Sequence, residues 1–150
     1  MSRNPQLPKD ISDKMDQMLR EAGEKFRNGM PNECIELQLK AWALIPEPKT
    51  EGDFYPQVLS KDIVNDYTSI KNVGEAKKWI AIAYKMFNDP DRTSHYVLSL
   101  EATSLYKLDL LDESYEVFDR IFELFGREGF QGEDIDHSEF YFKERAKRQD

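Results

Sequence analysis

Apolar residues return along this chain at the spacing of a helix. In KMDQMLREAGEKFRNGM (residues 14–30), Leu19, Ala22, Gly23 and Phe26 fall at i, i+3, i+4 and i+7, which places them on one helical face. Asn28 and Gly29 end that helix, because glycine takes the left-handed conformation a helix end needs. Pro31 suits the first turn of a second helix. Its stripe is Cys34, Leu37, Leu39, Ala41, Trp42, Leu44 and Ile45, and Pro46 and Pro48 close it.

The same arrangement then repeats. Ile63, Val64 and Tyr67 hold the apolar positions of a further helix, a turn falls around Asn72–Gly74, and Ala76, Trp79, Ile80, Ala83, Met86 and Phe87 supply its partner. Asn88, Asp89 and Pro90 end that copy. A third copy carries Leu98, Ala102 and Leu105, a turn at Lys107–Leu110, then Ser114, Tyr115, Phe118, Ile121, Leu124 and Phe125, closed by Gly126. Small residues at Cys34, Ala76 and Ser114 set the copies in register, where the two helices of a hairpin approach closely. Repetition at about 40 residues predicts stacked helical hairpins. The expected fold is all-α: one domain over residues 1–150, with hairpins over 12–46, 58–88 and 94–126 and a capping segment over 130–148.

The order of small, aromatic and proline positions resembles the tetratricopeptide repeat. Ala22–Gly23, Phe26, Gly29, Cys34, Ala41 and Pro46 carry the likeness in the first copy. Val64, Tyr67, Ala76 and Ala83 carry it in the second, and Ala102 and Leu105 in the third. Cys34 and Ser114 stand where the repeat has alanine. Two further segments, ALIPEPKTEGDFY (residues 43–55) and IFELFGREGFQGEDIDHSEFYFK (residues 121–143), resemble a group of small bacterial tetratricopeptide proteins. Those proteins join their first hairpins by Pro-Glu-Pro-Lys and enter a short last helix through Phe-x-Gly-Glu-Asp. Many are encoded beside secreted polymorphic toxins and look like their immunity proteins. The resemblance therefore implies a protein that binds one cognate toxin; a general repeat scaffold or adaptor is the alternative.

Composition narrows the partner. The net charge of −8 disfavours nucleic acid and anionic membrane. No apolar run approaches the roughly 20 residues that cross a bilayer, and MSRNPQLPKD has no apolar signal core, so the expected location is the cytoplasm. Cys34, the single cysteine, cannot form an internal disulfide. Charge is also uneven: residues 1–50 are balanced, whereas residues 109–139 hold eleven acidic side chains against Arg120 and Arg127. Such a run is either a solvated surface or a docking face for a basic protein.

FQGEDIDHSEFY (residues 130–141) concentrates candidate chemistry, with Glu133, Asp134, Asp136, His137 and Glu139 between aromatic ends. A metal site would want His-Glu-x-x-His pairing or a calcium loop, and neither spacing is present. Acid/base chemistry would want a second group facing these carboxylates across a cleft. A turn and capping helix accounts for every residue type: Phe130 folds back, Gly132 turns, Asp134 or Asp136 caps the helix start, and Phe140 and Tyr141 anchor it. Cys34, Trp42 and Trp79 read as core, and Phe54 and Tyr55 as either cover or contact. No phosphate loop or nucleophile motif occurs, so neither catalysis nor a cofactor or metal is expected. The partner-binding candidates are Asp109, Asp112, Glu116, Asp119, Glu133, Asp134 and Asp136 on the acidic band. Arg20, Lys61, Asn65, Tyr96 and Tyr106 join them on the first helices of the hairpins. Homodimerisation is left open.

Overall fold

A computed structural model of the chain describes residues 7–149; residues 1–6 and 150, which the expected domain includes, lie outside the described residues. All regular structure among the described residues is helical. It comprises α1 (Lys9–Arg27), α2 (Pro31–Ala43), α3 (Tyr55–Ser69), α4 (Val73–Met86), α5 (His95–Lys107), α6 (Leu111–Phe125) and α7 (Ile135–Arg148). Short 3-10 turns lie at Lys49–Glu51 and Gly126–Phe130. The helices pair as α1/α2, α3/α4 and α5/α6, and α7 packs on α6. The fold is thus all-α, three helical hairpins and a C-terminal helix. Contacts divide the chain into a first unit, Met1–Asn88, and a second, Asp89–Asp150.

One backbone device turns all three hairpins. Gly29, Lys71 and Asp109 take positive φ of 76°, 60° and 62°. The next amide in each case reaches back five residues: Met30 to Lys25 O, Asn72 to Tyr67 O and Leu110 to Leu105 O, at 2.8–3.0 Å. This is the Schellman closure of a helix end. The amides of Cys34, Ala76 and Ser114 then bond to the carbonyls of Met30, Asn72 and Leu110 in the first turn of the following helix. All three side chains are buried, at 2% exposure or less, so the small-residue register marks the hairpin crossing. The second turn falls at Ile70–Asn72 rather than Asn72–Gly74. Asn72 caps α4 by accepting from the Glu75 amide, and Gly74 lies within that helix.

The first unit is built on aliphatic and small side chains. Met15, Ala22, Ala41, Leu59, Ile63, Val64, Ala76 and Ala83 are fully or almost fully buried. The stripe that α2 buries is Cys34, Gln38 and Ala41, continued past the helix end by Ile45, with Ile35 beside it, whereas Leu37, Leu39 and Trp42, and Leu44 at the helix end, are half-buried. Trp42 meets the buried Trp79 edge-on at 5.0 Å. Phe26, expected on the buried face of α1, is 44% exposed. It lies one residue from the end of α1.

The second unit is aromatic. Phe118 and Tyr141 are fully buried, Phe130 stacks on both, and Phe122, Phe140 and Phe142 surround them. Two polar anchors hold its loops. Asp89, buried, accepts from the Thr93 and Ser94 amides and the Thr93 hydroxyl. Arg120 donates to the Asp91 and Arg92 carbonyls at 2.9 and 2.7 Å. His95, first residue of α5, meets the Gly129 carbonyl through Nε2 at 2.5 Å. A Cβ at Gly129 would sit 2.7 Å from Ile121 Cγ2, so only glycine lets the 3-10 turn lie this close to α6.

Candidate functional site

Helix α6 starts acidic, with Asp112 and Glu113 in its first turn, which the helix dipole favours. Asp112, Glu116 and Glu123 continue down one side and are exposed. Asp119 falls in the same row, but its Oδ1 accepts a short bond from the hydroxyl of the buried Tyr141. Burial, reinforced by that carboxylate, holds the Tyr141 phenol far above its ordinary range. Asp119 therefore fastens α7 to α6 and does not belong to an open surface. Asp109 is the left-handed residue of the third hairpin turn and is exposed.

Helix α7 brings cations to this acidic side. The Arg148 guanidinium pairs with Asp112 at 2.9 Å, lies 3.8 Å from Glu144, and covers the Tyr115 ring at 4.0 Å from its centroid. Arg145 covers Phe122 and Arg127 covers Phe142 in the same way. The acidic band is narrower than the sequence suggests, because α7 folds its own positive charge onto it. Glu116 and Glu123 are exposed.

The FQGEDIDHSEFY stretch is a turn and a helix start. Phe130 is buried, Gly132 turns at φ 80°, and the Asp134 carboxylate caps α7 by accepting from the Asp136 amide at 3.0 Å. His137 points inward, edge-on to Tyr106 at 5.0 Å and beside Phe118. Its Nδ1 lies 3.5 Å from Glu133 Oε2. Asp136 is exposed in the first turn. The stretch thus spreads its ligand-type side chains over a cap, an interior ring and solvent. Among the described residues no group of three or more His, Cys, Asp or Glu side chains is arranged to hold a metal ion.

The first-helix candidates separate in the same manner. In the first unit Arg20 is exposed and donates to Gln17 at 2.9 Å, Lys61 is half-buried 3.2 Å from Asp62, and Asn65 is exposed. In the second unit Tyr96 is 52% exposed, a large amphipathic side chain at the surface. Tyr106 is half-buried between His137 and Phe140, so it supports α7. Thr68, which helical register places with Lys61 and Asn65, is buried.

Cys34 is an interior thiol. It donates to Asp66 at 3.4 Å, and burial together with that carboxylate pushes it up to about 12. Such a thiol is a poor nucleophile at neutral pH. Burial also raises Asp66, although bonds from Gln38 and Cys34 work against it.

One feature has no counterpart among the candidates read from the sequence. The link between α2 and α3 folds around a cleft of about 480 Å3 that reaches back to Leu7 and Pro8. Four prolines, at 8, 46, 48 and 56, line it. Their density in PEPKTEGDFYP was the available signal, although no periodicity shows that such a link encloses space. No family model, no curated protein and no solved structure matches this chain.

Proposed function

We propose that this protein is a cytoplasmic binding module for one basic protein partner, and that it acts as the immunity protein of a toxin by covering the toxin's working surface. The observation that carries the reading is the acidic row of α6, in which Glu116 and Glu123 are exposed. That row stands on a rigid aromatic base. A fixed row of like charge speeds encounter with a basic surface and sets its orientation, while affinity comes from anchors such as the exposed Tyr96. Resemblance of the link and terminal segments to small bacterial tetratricopeptide proteins supports the toxin assignment. Among the described residues no helix is long and apolar enough to cross a membrane.

The test is affinity purification of the tagged protein from its own cells, washed at low and at high salt, with mass spectrometry. One stoichiometric basic partner that survives the high-salt wash is the expected result. Several substoichiometric partners lost at high salt would replace this reading with that of an adaptor. Glu116→Lys with Glu123→Lys should then slow association about tenfold at low salt and less at high salt. Asp119 is unsuitable for charge reversal because it holds Tyr141.

A further inference from the structure

The joint between the first two hairpins, where α2 meets α3, holds a cluster of polar side chains. Gln38 of α2 is 6% exposed, and its amide nitrogen donates to the Asp66 carboxylate of α3. The Cys34 thiol, one turn earlier on α2, donates to Asp66 Oδ2 at 3.4 Å. The other half of the Gln38 amide is idle. Its Oε1 is buried and accepts no hydrogen bond from any described residue. A buried acceptor left without a donor weakens a fold, so this cluster is one hydrogen short.

A proton on Asp66 supplies the missing donor. Ionised, the carboxylate only accepts; protonated, it gains an O–H and keeps a carbonyl oxygen. A carboxylic acid and a primary amide are then complementary: the amide N–H meets the acid carbonyl, and the acid O–H meets the amide oxygen. The surroundings favour the neutral form. Burial raises the Asp66 carboxyl, the bonds from Gln38 and Cys34 oppose that rise, and the like charge of Asp62, one turn back on α3, adds to it. The other charged groups around α3 engage elsewhere. Lys61 lies 3.2 Å from Asp62, Asp16 of α1 accepts from Tyr55, and Glu75 of α4 acts on Tyr67.

We propose that Asp66 and Gln38 form a proton-operated lock on the joint between the first two hairpins. Uptake of one proton by Asp66 closes an acid–amide pair across α2 and α3, with the new O–H on Gln38 Oε1. Release of that proton leaves the bond from Nε2 alone and returns Oε1 to its orphaned state. Acid therefore tightens the stacking of the two hairpins, and neutral pH loosens it. Burial of a carboxyl by itself would let acid stabilise the first unit as a whole. The lock concentrates the gain at α2 and α3 and requires the Gln38 oxygen. It acts within the first unit and is independent of the α6 row.

Amide exchange of the full-length protein at pH 6 and pH 3, read as protection factors, tests the lock. NMR follows the Asp66 carboxyl carbon and the Gln38 side-chain amide over the same range. Gln38→Met removes Oε1 but keeps an apolar chain of similar length over Asp66. Asp66→Asn supplies a neutral group that donates to Oε1 and accepts from Nε2 at either pH. Circular dichroism verifies that both fold. In the unaltered protein, protection of α2 and α3 should rise in acid by about threefold or more beyond that of α1 and α4. Gln38→Met should lose this excess, and Asp66→Asn should show it already at pH 6. The Gln38 amide should shift with the midpoint of the Asp66 carboxyl. An equal excess in Gln38→Met would assign the gain to burial alone and overturn the lock. So would a Gln38 amide that stays unmoved while Asp66 titrates, which decides the matter even if Gln38→Met fails to fold.

Discussion

The two units solve the same packing problem with different material. In the first, two hairpins bury aliphatic and small residues such as Leu59, Ile63, Val64, Ala76 and Ala83. In the second, a single hairpin is sealed by α7 through Tyr115, Phe118, Phe130 and Tyr141 stacked at ring separations of 5.2–5.8 Å. A helix packed on one side of a hairpin covers less area than another hairpin, so each residue must bury more. Aromatic rings do this, with roughly 150–250 Å2 each. The lesson concerns function as well: where packing uses tyrosines and carboxylates, those groups are no longer available to a partner.

The largest effects should come from breaking the aromatic seal. Phe118→Ala should cost about 3–5 kcal/mol, because the stacked rings around it cannot close the cavity. Ile63→Val in the first unit should cost about 0.5–1.5 kcal/mol. Urea denaturation followed by circular dichroism checks both, and amide exchange should show the loss of protection over α5–α7. Next come two glycines that look equivalent in sequence. Gly129→Ala meets Ile121 and should cost about 1–3 kcal/mol. Gly74→Ala has nothing within 4 Å and sits in α4, so it should add about 0.4–1 kcal/mol. Thermal midpoints moving in opposite directions are the expected readout.

Acid should act on the units with opposite sign. For Asp89, burial alone would raise the carboxyl, but the Thr93 and Ser94 amides, the Thr93 hydroxyl and Arg120 together hold it below its ordinary value. Its contribution is present above the unfolded-state value of about 3.9 and is lost as pH falls through the lower folded value. Asp66 is raised by burial, so its charge opposes folding above the folded value. As pH drops through that value the folded state takes up a proton first and gains stability. Asp89→Asn should flatten the acid loss of the second unit, and Asp66→Asn should remove the acid gain of the first. Amide exchange measured between pH 6 and pH 3, unit by unit, reads the contrast. Parallel behaviour in the two units would refute it.

Helix pairing was readable because it rests on spacing alone. The 34, 76 and 114 register identified all three crossings, since only a small side chain fits there. The turns were half-readable. Gly29 advertises positive φ and Asp109 tolerates it, but Lys71 adopts it without any signature, and Gly74 drew the second turn two residues too far. Gln38 was missed because it is polar, although Cys34, Gln38, Ala41 and Ile45 fall at i, i+4, i+7 and i+11. The candidate site was least legible. Whether Asp119 or Tyr106 faces solvent depends on where α7 lies, and Arg148 reaches Asp112 across 36 residues. Charge counted along the chain ignores such folding back.

The smallest expected effect tests how far that neutralisation matters. Asp112 is strongly exposed, with its side chain at 93%, so its pair with Arg148 sits in water and is screened by salt. Asp112→Asn should therefore change stability by no more than about 0.5 kcal/mol. Arg148→Ala should cost more, about 0.5–1 kcal/mol, because it also removes the cation from the Tyr115 face. The two changes alter the field of α6 in opposite directions. Asp112→Asn removes an acid from the proposed docking row, whereas Arg148→Ala uncovers one. If the row steers a basic partner, association should slow with the first and quicken with the second at low salt, with both differences shrinking as salt rises. Equal rates for the two at low salt would detach the row from binding.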